Sequence, residues 1–210
     1  MTRDVAKRGI TLAAIAAICA TLVAATYQVT AARIAANEQA WLEKSLLPAL
    51  GGVKYDGSIT DARLVFDPPH ELPGNDAAII YRAYSGGAPV AALFAVTARG
   101  GYAGPIRILV GVDAAGGVTG VRILEHRETP GLGDGIDASR SDWAYQFDGR
   151  SLGNPPAAGW QLKVDGGEFD QLTGASVTPR AVIKAIRETL IYFDAHQAEI
   201  FDMPTTTEPE

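Results

Sequence analysis

No charged side chain occurs between Gly9 and Ala32, a run of 24 positions that admits few folds. A helix rises about 1.5 Å per residue and about 20 apolar residues cross a bilayer, so this run is long enough to span one. Its centre, ITLAAIAAICATLVAATY (Ile10 to Tyr27), is a mild hydrophobe rich in Ala and Thr, and Tyr27 suits the interfacial position near its end. Arg3, Lys7 and Arg8 precede it. By the positive-inside rule the N-terminus then stays in the cytoplasm and the remaining chain lies outside. A cleaved signal peptide is the competing reading, because the basic start and the VAA ending at Ala25 fit that pattern. The uncharged run exceeds an h-region of about 7–15 residues, so a cytoplasmic start followed by a retained transmembrane helix is the expectation for residues 1–32. Cys19 reads as a small apolar side chain of that span, since bulky Ile18 stands where lipoprotein processing needs a small residue.

From Arg33, RIAANEQAWLEKSLLPAL carries Ala40, Trp41, Leu42, Leu46 and Leu47 at helical spacing until Pro48, which predicts a stem helix over 33–50. Residues 51–200 have the length of one domain, and a tail over 201–210, ending MPTTTEPE, is predicted disordered. A hydrophobic content of 47% supplies a core. The net charge of -6, with 18 Lys and Arg scattered along the chain, excludes a nucleic-acid binder. One cysteine excludes a disulfide framework or a cysteine zinc site. His70, His126 and His196 match no metal-ligand spacing, so no metal site is expected.

Residues 55–76 look irregular with short strands. AAIIYRAY (Ala77 to Tyr84), SGGAP and VAALFAVTA (Val90 to Ala98) predict a hairpin. IRILVGV and VTGVRILEH flank a loop at residues 113–117, and Arg107 and Arg122 within them predict one solvated face. RETPGLGDGID is too rich in Gly and Pro for regular structure, SDWAYQFDG is a short helix or turn, and WQLKV (Trp160 to Val164) reads as a strand. From Pro179 to about His196, Val182, Ile183, Ile186, Leu190 and Phe193 recur at spacings of three and four, an amphipathic helix. The predicted fold class is α+β: an antiparallel sheet, a packed C-terminal helix and one large surface loop. Trp143 and Trp160 read as core.

The stretch FDQLTGASVTP (Phe169 to Pro179) gathers hydroxyls before that helix. Thr178-Pro179 reads as its start, with a hydroxyl N-cap and proline at the first helical position. Backbone N–H groups and the positive dipole end then face the TGAS turn, where a phosphate sits favourably. Gly174 allows close backbone approach, Ala175 leaves the site uncrowded, and Thr173 and Ser176 offer hydroxyls that can bond a phosphate or be esterified to it. The lysine of a P-loop is missing. The plainer alternative, that Thr173, Ser176 and Thr178 only cap a helix and close a turn, stays open on these residues alone.

DQLTGAS (Asp170 to Ser176) matches D-x-x-[ST]-G-A-[TS], and here the chain resembles FMN-binding domains with covalently attached flavin. HRETPGLGDGI (His126 to Ile136) is similar to their E-T-P-G-L-G loop, and VDGGEFDQLTGASVTP (Val164 to Pro179) to their C-terminal run. The length, the single N-terminal span and the outside location resemble the G subunits of Rnf electron-transport complexes. The C subunits of sodium-translocating NADH:quinone reductases are the sibling family.

The resemblance implies FMN transferred from FAD by a flavin transferase onto the last hydroxyl of the motif, as a phosphoester. That hydroxyl is Ser176 here, where most of the family has threonine; Thr173 and Thr178 are the fallbacks, and Val177 borders the same turn. Asp170 is a signature residue, but a carboxylate repels a phosphate, so it is assigned to the transfer reaction through a metal ion. In the loop opened by Glu128, Leu132 is expected to touch the flat apolar ring, Thr129 to hydrogen-bond its edge, and Gly131 and Gly133 to expose backbone N–H groups.

The function so implied is electron carriage, with no catalytic residue of its own. The implied setting is a bacterial inner-membrane complex that moves electrons between ferredoxin and NAD while translocating Na+ or H+, with the soluble domain periplasmic. Its partners would be membrane lipid, the flavin transferase, a second covalent-FMN subunit and Fe–S subunits. The alternatives are a C subunit-like component, an anchored module that binds phosphate without redox chemistry, and a stand-alone flavin reductase, for which 210 residues leave no catalytic domain.

Overall fold

The computed structural model describes residues 44–205 and, before them, positions 12, 16, 17, 19–21 and 27. The expected anchor, apart from those seven helical positions, and residues 33–43 of the expected stem lie outside the described residues. Among the described residues no helix is long and apolar enough to cross a membrane. The chain divides into Met1–Leu42 and Glu43–Glu210, and the second unit carries the fold.

Within it, β1 (Arg63–Phe66), β2 (Ala78–Ser85), β3 (Ala88–Ala98), β4 (Ile106–Asp113) and β5 (Val118–Glu125) pair in chain order as an antiparallel meander. Gly86 and Gly87, at φ 58° and 82°, make the tight β2–β3 turn that only glycine enters freely. Asp113 closes the β4–β5 turn by accepting the N–H groups of Ala115 and Gly117 on Oδ1.

The solvated sheet face that Arg107 and Arg122 predicted is not open. Leu93 and Leu109 are fully buried there. Over β4 and β5 that face is covered by a 3-10 turn, Leu47–Leu50. Paired glycines make the room: a Cβ on Gly111 would stand 2.1 Å from the Ala49 carbonyl oxygen, and one on Gly120 3.0 Å from that of Pro48. The segment read as the end of a stem is therefore part of the packed unit, with Leu46, Ala49 and Leu50 buried.

The opposite face packs against α1 (Val177–Asp202), whose Val182, Ile183, Ile186, Leu190 and Phe193 are buried as their spacing predicts. Phe193 meets Phe94 of β3 edge to face at 6.0 Å. The helix runs past its expected end near His196. Buried Arg82 holds the terminus, donating from Nη1 to the carbonyls of Ile200 (3.1 Å) and Met203 (2.5 Å) and from Nη2 to Thr205 Oγ1 (2.8 Å). The expected disordered tail thus begins with two helical residues and an anchored segment, while 206–210 lie outside the described residues.

WQLKV is not a strand. Leu162 makes one isolated bridge to Phe169, and Lys163–Asp165 is a 3-10 turn. Trp143, Phe147, Trp160 and Phe169 form a chain of ring contacts, with centroids 4.7–5.2 Å apart, that pulls this segment into the core instead of a ladder. The cluster supports the hydroxyl-rich stretch directly, because Trp143 Nε1 donates to the Asp170 carbonyl.

Candidate functional site

Two glycine turns face each other, one in the loop after β5 and the other just before α1. In Thr129-Pro130-Gly131-Leu132 the Leu132 N–H donates to the Thr129 carbonyl at 3.1 Å and Gly131 sits at φ 77°. Proline at the second position and left-handed glycine at the third define a type II turn. Leu172-Thr173-Gly174-Ala175 repeats the geometry, with Ala175 N–H donating to the Leu172 carbonyl at 3.1 Å and Gly174 at φ 76°. The turns touch, since a Cβ on Gly174 would lie 3.1 Å from Leu132 Cδ2.

Between them opens a cleft of about 440 Å³, walled by Tyr102, by Glu128, Thr129, Leu132 and Gly133, and by residues 174–178. That volume is ordinary for a site holding an organic ligand. Leu132 and Val177 stay exposed along it, at 45% and 44%. A second cleft of about 480 Å³ shares Leu132 with the first and holds Gly131 and Thr173.

Glu128 organises the first cleft. Its side chain is buried; Oε1 accepts the Ala103 N–H at 3.0 Å and Oε2 accepts the Thr178 hydroxyl at 2.5 Å. Gly133 leaves the space for this, because a Cβ there would come 2.7 Å from Glu128 Oε2. Its use is therefore to admit the carboxylate, in addition to any exposed N–H. One carboxylate thus joins the loop before β4, the loop after β5 and the start of α1.

The helix start differs from the sequence reading. The N-cap position is Ser176, not Thr178, and the helix begins at Val177, which places Pro179 third. Thr178 is fully buried, and its hydroxyl goes to Glu128 instead of a helix amide. Ser176, half-buried in the cleft wall, makes no side-chain capping hydrogen bond. The first N–H groups of α1, at Val177 and Thr178, have no partner within the helix, and Pro179 has no N–H to satisfy.

The structure brings Glu128, Thr129, Leu132, Gly174, Ala175, Ser176, Val177 and Thr178 to one cleft. Gly131 and Thr173 face the neighbouring one. Asp170 lines neither: its carboxylate takes Lys163 Nζ at 2.7 Å on the surface. Tyr102 is the wall residue that sequence reasoning missed. Its signal is an aromatic set in RGGYAG, where glycine frees the backbone to present it. A separate cavity of about 170 Å³ contains an Asp76–Arg107 ion pair at 2.7 Å. Burial there opposes ionisation of Asp76, but the Thr97 hydroxyl and Arg107 guanidinium outweigh it and hold that carboxyl below its usual range.

Comparison with known proteins adds to this geometry. Residues 101–191 match the FMN-binding domain family, and residues 1–48 match the RnfG N-terminal region. The G subunit of the ion-translocating oxidoreductase complex of Shewanella baltica is 41% identical over 210 residues, which cover 99% of this chain and 98% of that protein. Its counterpart of the same name from Pseudomonas aeruginosa is 40% identical over 94% of this chain and 92% of its own length. The Escherichia coli one is 40% identical over 99% of this chain and all of its own.

The Glu128–Thr178 bond is testable without any ligand. Thr178→Val keeps the shape and removes the donor, leaving a buried carboxylate oxygen short of a partner, at a cost of about 1–3 kcal/mol. Urea unfolding followed by tryptophan fluorescence reads this directly, and a change below about 0.5 kcal/mol contradicts the bond.

Proposed function

This chain belongs to the family of G subunits of ion-translocating oxidoreductase complexes, and on that premise we propose that it is a membrane-anchored electron carrier with FMN esterified to Ser176. It is a redox subunit of an oxidoreductase complex, and its FMN-binding domain spans residues 101–191.

The comparison of three hydroxyls carries the attachment point. Thr178 is fully buried and spends its proton on Glu128; Thr173 is exposed in the second cleft. Ser176 lines the first cleft with a hydroxyl that caps nothing. The residues present fit the cofactor. The opening N–H groups of α1 favour a phosphate beside Ser176, and the exposed apolar side chains of Leu132 and Val177 suit a flat ring. Thr129 at the rim offers a hydroxyl to the ring's polar edge. Gly131, whose neighbour's N–H is already taken by Thr129, serves the turn.

On attachment, Ser176 exchanges its O–H bond for an O–P bond, AMP leaves from FAD, and the proton passes to a base of the flavin transferase. The surface position of Asp170, outside the cleft, supports its assignment to the transfer reaction rather than to the bound FMN. When bound, FMN supplies the redox chemistry, and the protein supplies placement. An ester prevents loss of the cofactor between electron transfers to neighbouring subunits, one with a second covalent FMN and others with Fe–S clusters. The uncharged run from Gly9 to Ala32 anchors the chain in the inner membrane, with the folded unit periplasmic.

Co-production with a flavin transferase should give a band that stays fluorescent on a denaturing gel, with the mass of FMN added at Ser176. Ser176→Ala should abolish the label and Ser176→Thr should keep it. A label that survives Ser176→Ala but is lost on changing Thr173 or Thr178 overturns the assignment. The full chain should also resist alkaline extraction from membranes, and protease added to spheroplasts should digest its folded unit. Protection of that unit from the outside would reverse the topology.

A further inference from the structure

We propose that Tyr102 is a cofactor-contacting residue whose ring covers the flavin in the cleft beside Ser176. This rests on the reading that FMN occupies that cleft, and it assigns a role to the one wall residue that neither motif contains.

Among the described residues Tyr102 is the most exposed large hydrophobic side chain, at 75%. Lone exposed aromatics are common on protein surfaces and need no ligand. Two observations set this one apart. It borders the same cleft as Leu132 and Val177, so three exposed apolar side chains edge a single ligand-sized space. A flat apolar ring is the chemistry that would cover them together.

The second observation is how the loop is held. Tyr102 lies between β3 and β4, flanked by Gly100 and Gly104 at φ 90° and 139°, which a side chain would strain. A Cβ on Gly101 would stand 2.4 Å from the Gly104 carbonyl oxygen and 2.9 Å from Glu128 Oε1. The neighbouring Ala103 N–H donates to that same Glu128 oxygen at 3.0 Å. A buried carboxylate and three glycines are thus committed to a tight loop whose tip carries a solvent-facing phenol. The same carboxylate binds Thr178, two residues after Ser176, so the tyrosine loop and the attachment turn are held in one register. With aromatic rings, an offset or edge-on contact is the favoured arrangement.

The phenol ring is electron-rich and quenches the emission of a flavin in van der Waals contact with it, which gives a readout independent of electron-transfer activity. The experiment uses the full chain, co-produced with flavin transferase, as parent, Tyr102→Ala and Tyr102→Phe. Flavin load at Ser176 is measured first by intact mass. At equal load, Tyr102→Ala should emit severalfold more strongly than the parent and be quenched more readily by iodide. Tyr102→Phe, which keeps the ring, should retain the parent's shielding from iodide. Equal emission and equal iodide quenching in parent and Tyr102→Ala, with flavin on Ser176, overturns the Tyr102 contact and leaves the attachment intact. A parent without flavin on Ser176 overturns both.

Discussion

A carboxylate taken out of water must find donors, and the two that Glu128 finds belong to chain segments far apart in sequence. Ala103 precedes β4, Glu128 follows β5, and Thr178 opens α1. Withdrawing any of the three leaves a buried polar atom unpaired, so the cleft walls cannot drift independently. Gly101 and Gly133 are the steric condition of the arrangement, since a methyl group at either would collide with the carboxylate. The cleft is an outcome of this clamp, and the hydroxyl-rich turn is displayed on it.

Beneath the clamp the sheet and α1 form the rigid part. The meander buries both faces of its central strands, against α1 on one side and the Leu47–Leu50 turn on the other, while the aromatic cluster from Trp143 to Phe169 props up the hydroxyl-rich turn. The proposed ester would fix only one end of the flavin, and a carrier of that kind needs this scaffold. The walls must orient the other end. In the family to which the chain belongs, such a subunit works within a larger complex, so its surfaces must also leave the cofactor reachable. The open cleft, edged by Leu132, Val177 and Tyr102, suits both demands of the proposed site.

Much of this was legible in the residues. The apolar runs that flank turn residues, the Gly86-Gly87 hairpin and the 3.6-residue period of α1 are local signals, and each produced its element. The Pro130-Gly131 and Thr173-Gly174 pairs likewise predict turns by their own backbone preferences. What failed depends on partners distant in sequence. Thr178 looked like an N-cap because the helix amides are its nearest acceptor-seeking neighbours, yet its hydroxyl is captured by a carboxylate 50 positions away. WQLKV has strand composition, but the rings around it offered better packing than a ladder. Tyr102 could not be assigned to a cleft until the loops that bound it were placed. Asp170 belongs to the signature by sequence and to the surface by structure.

The central claim, a phosphate esterified to a side chain of the protein, has a direct spectroscopic signature. A free FMN phosphate is a monoester whose second ionisation lies near pH 6, whereas a phosphate that also bonds Ser176 has lost that proton site. The 31P resonance of the flavin-loaded protein should therefore hold a constant position from about pH 5 to about pH 8. A resonance that moves through a midpoint near pH 6 would show a cofactor bound without the ester and contradict the account.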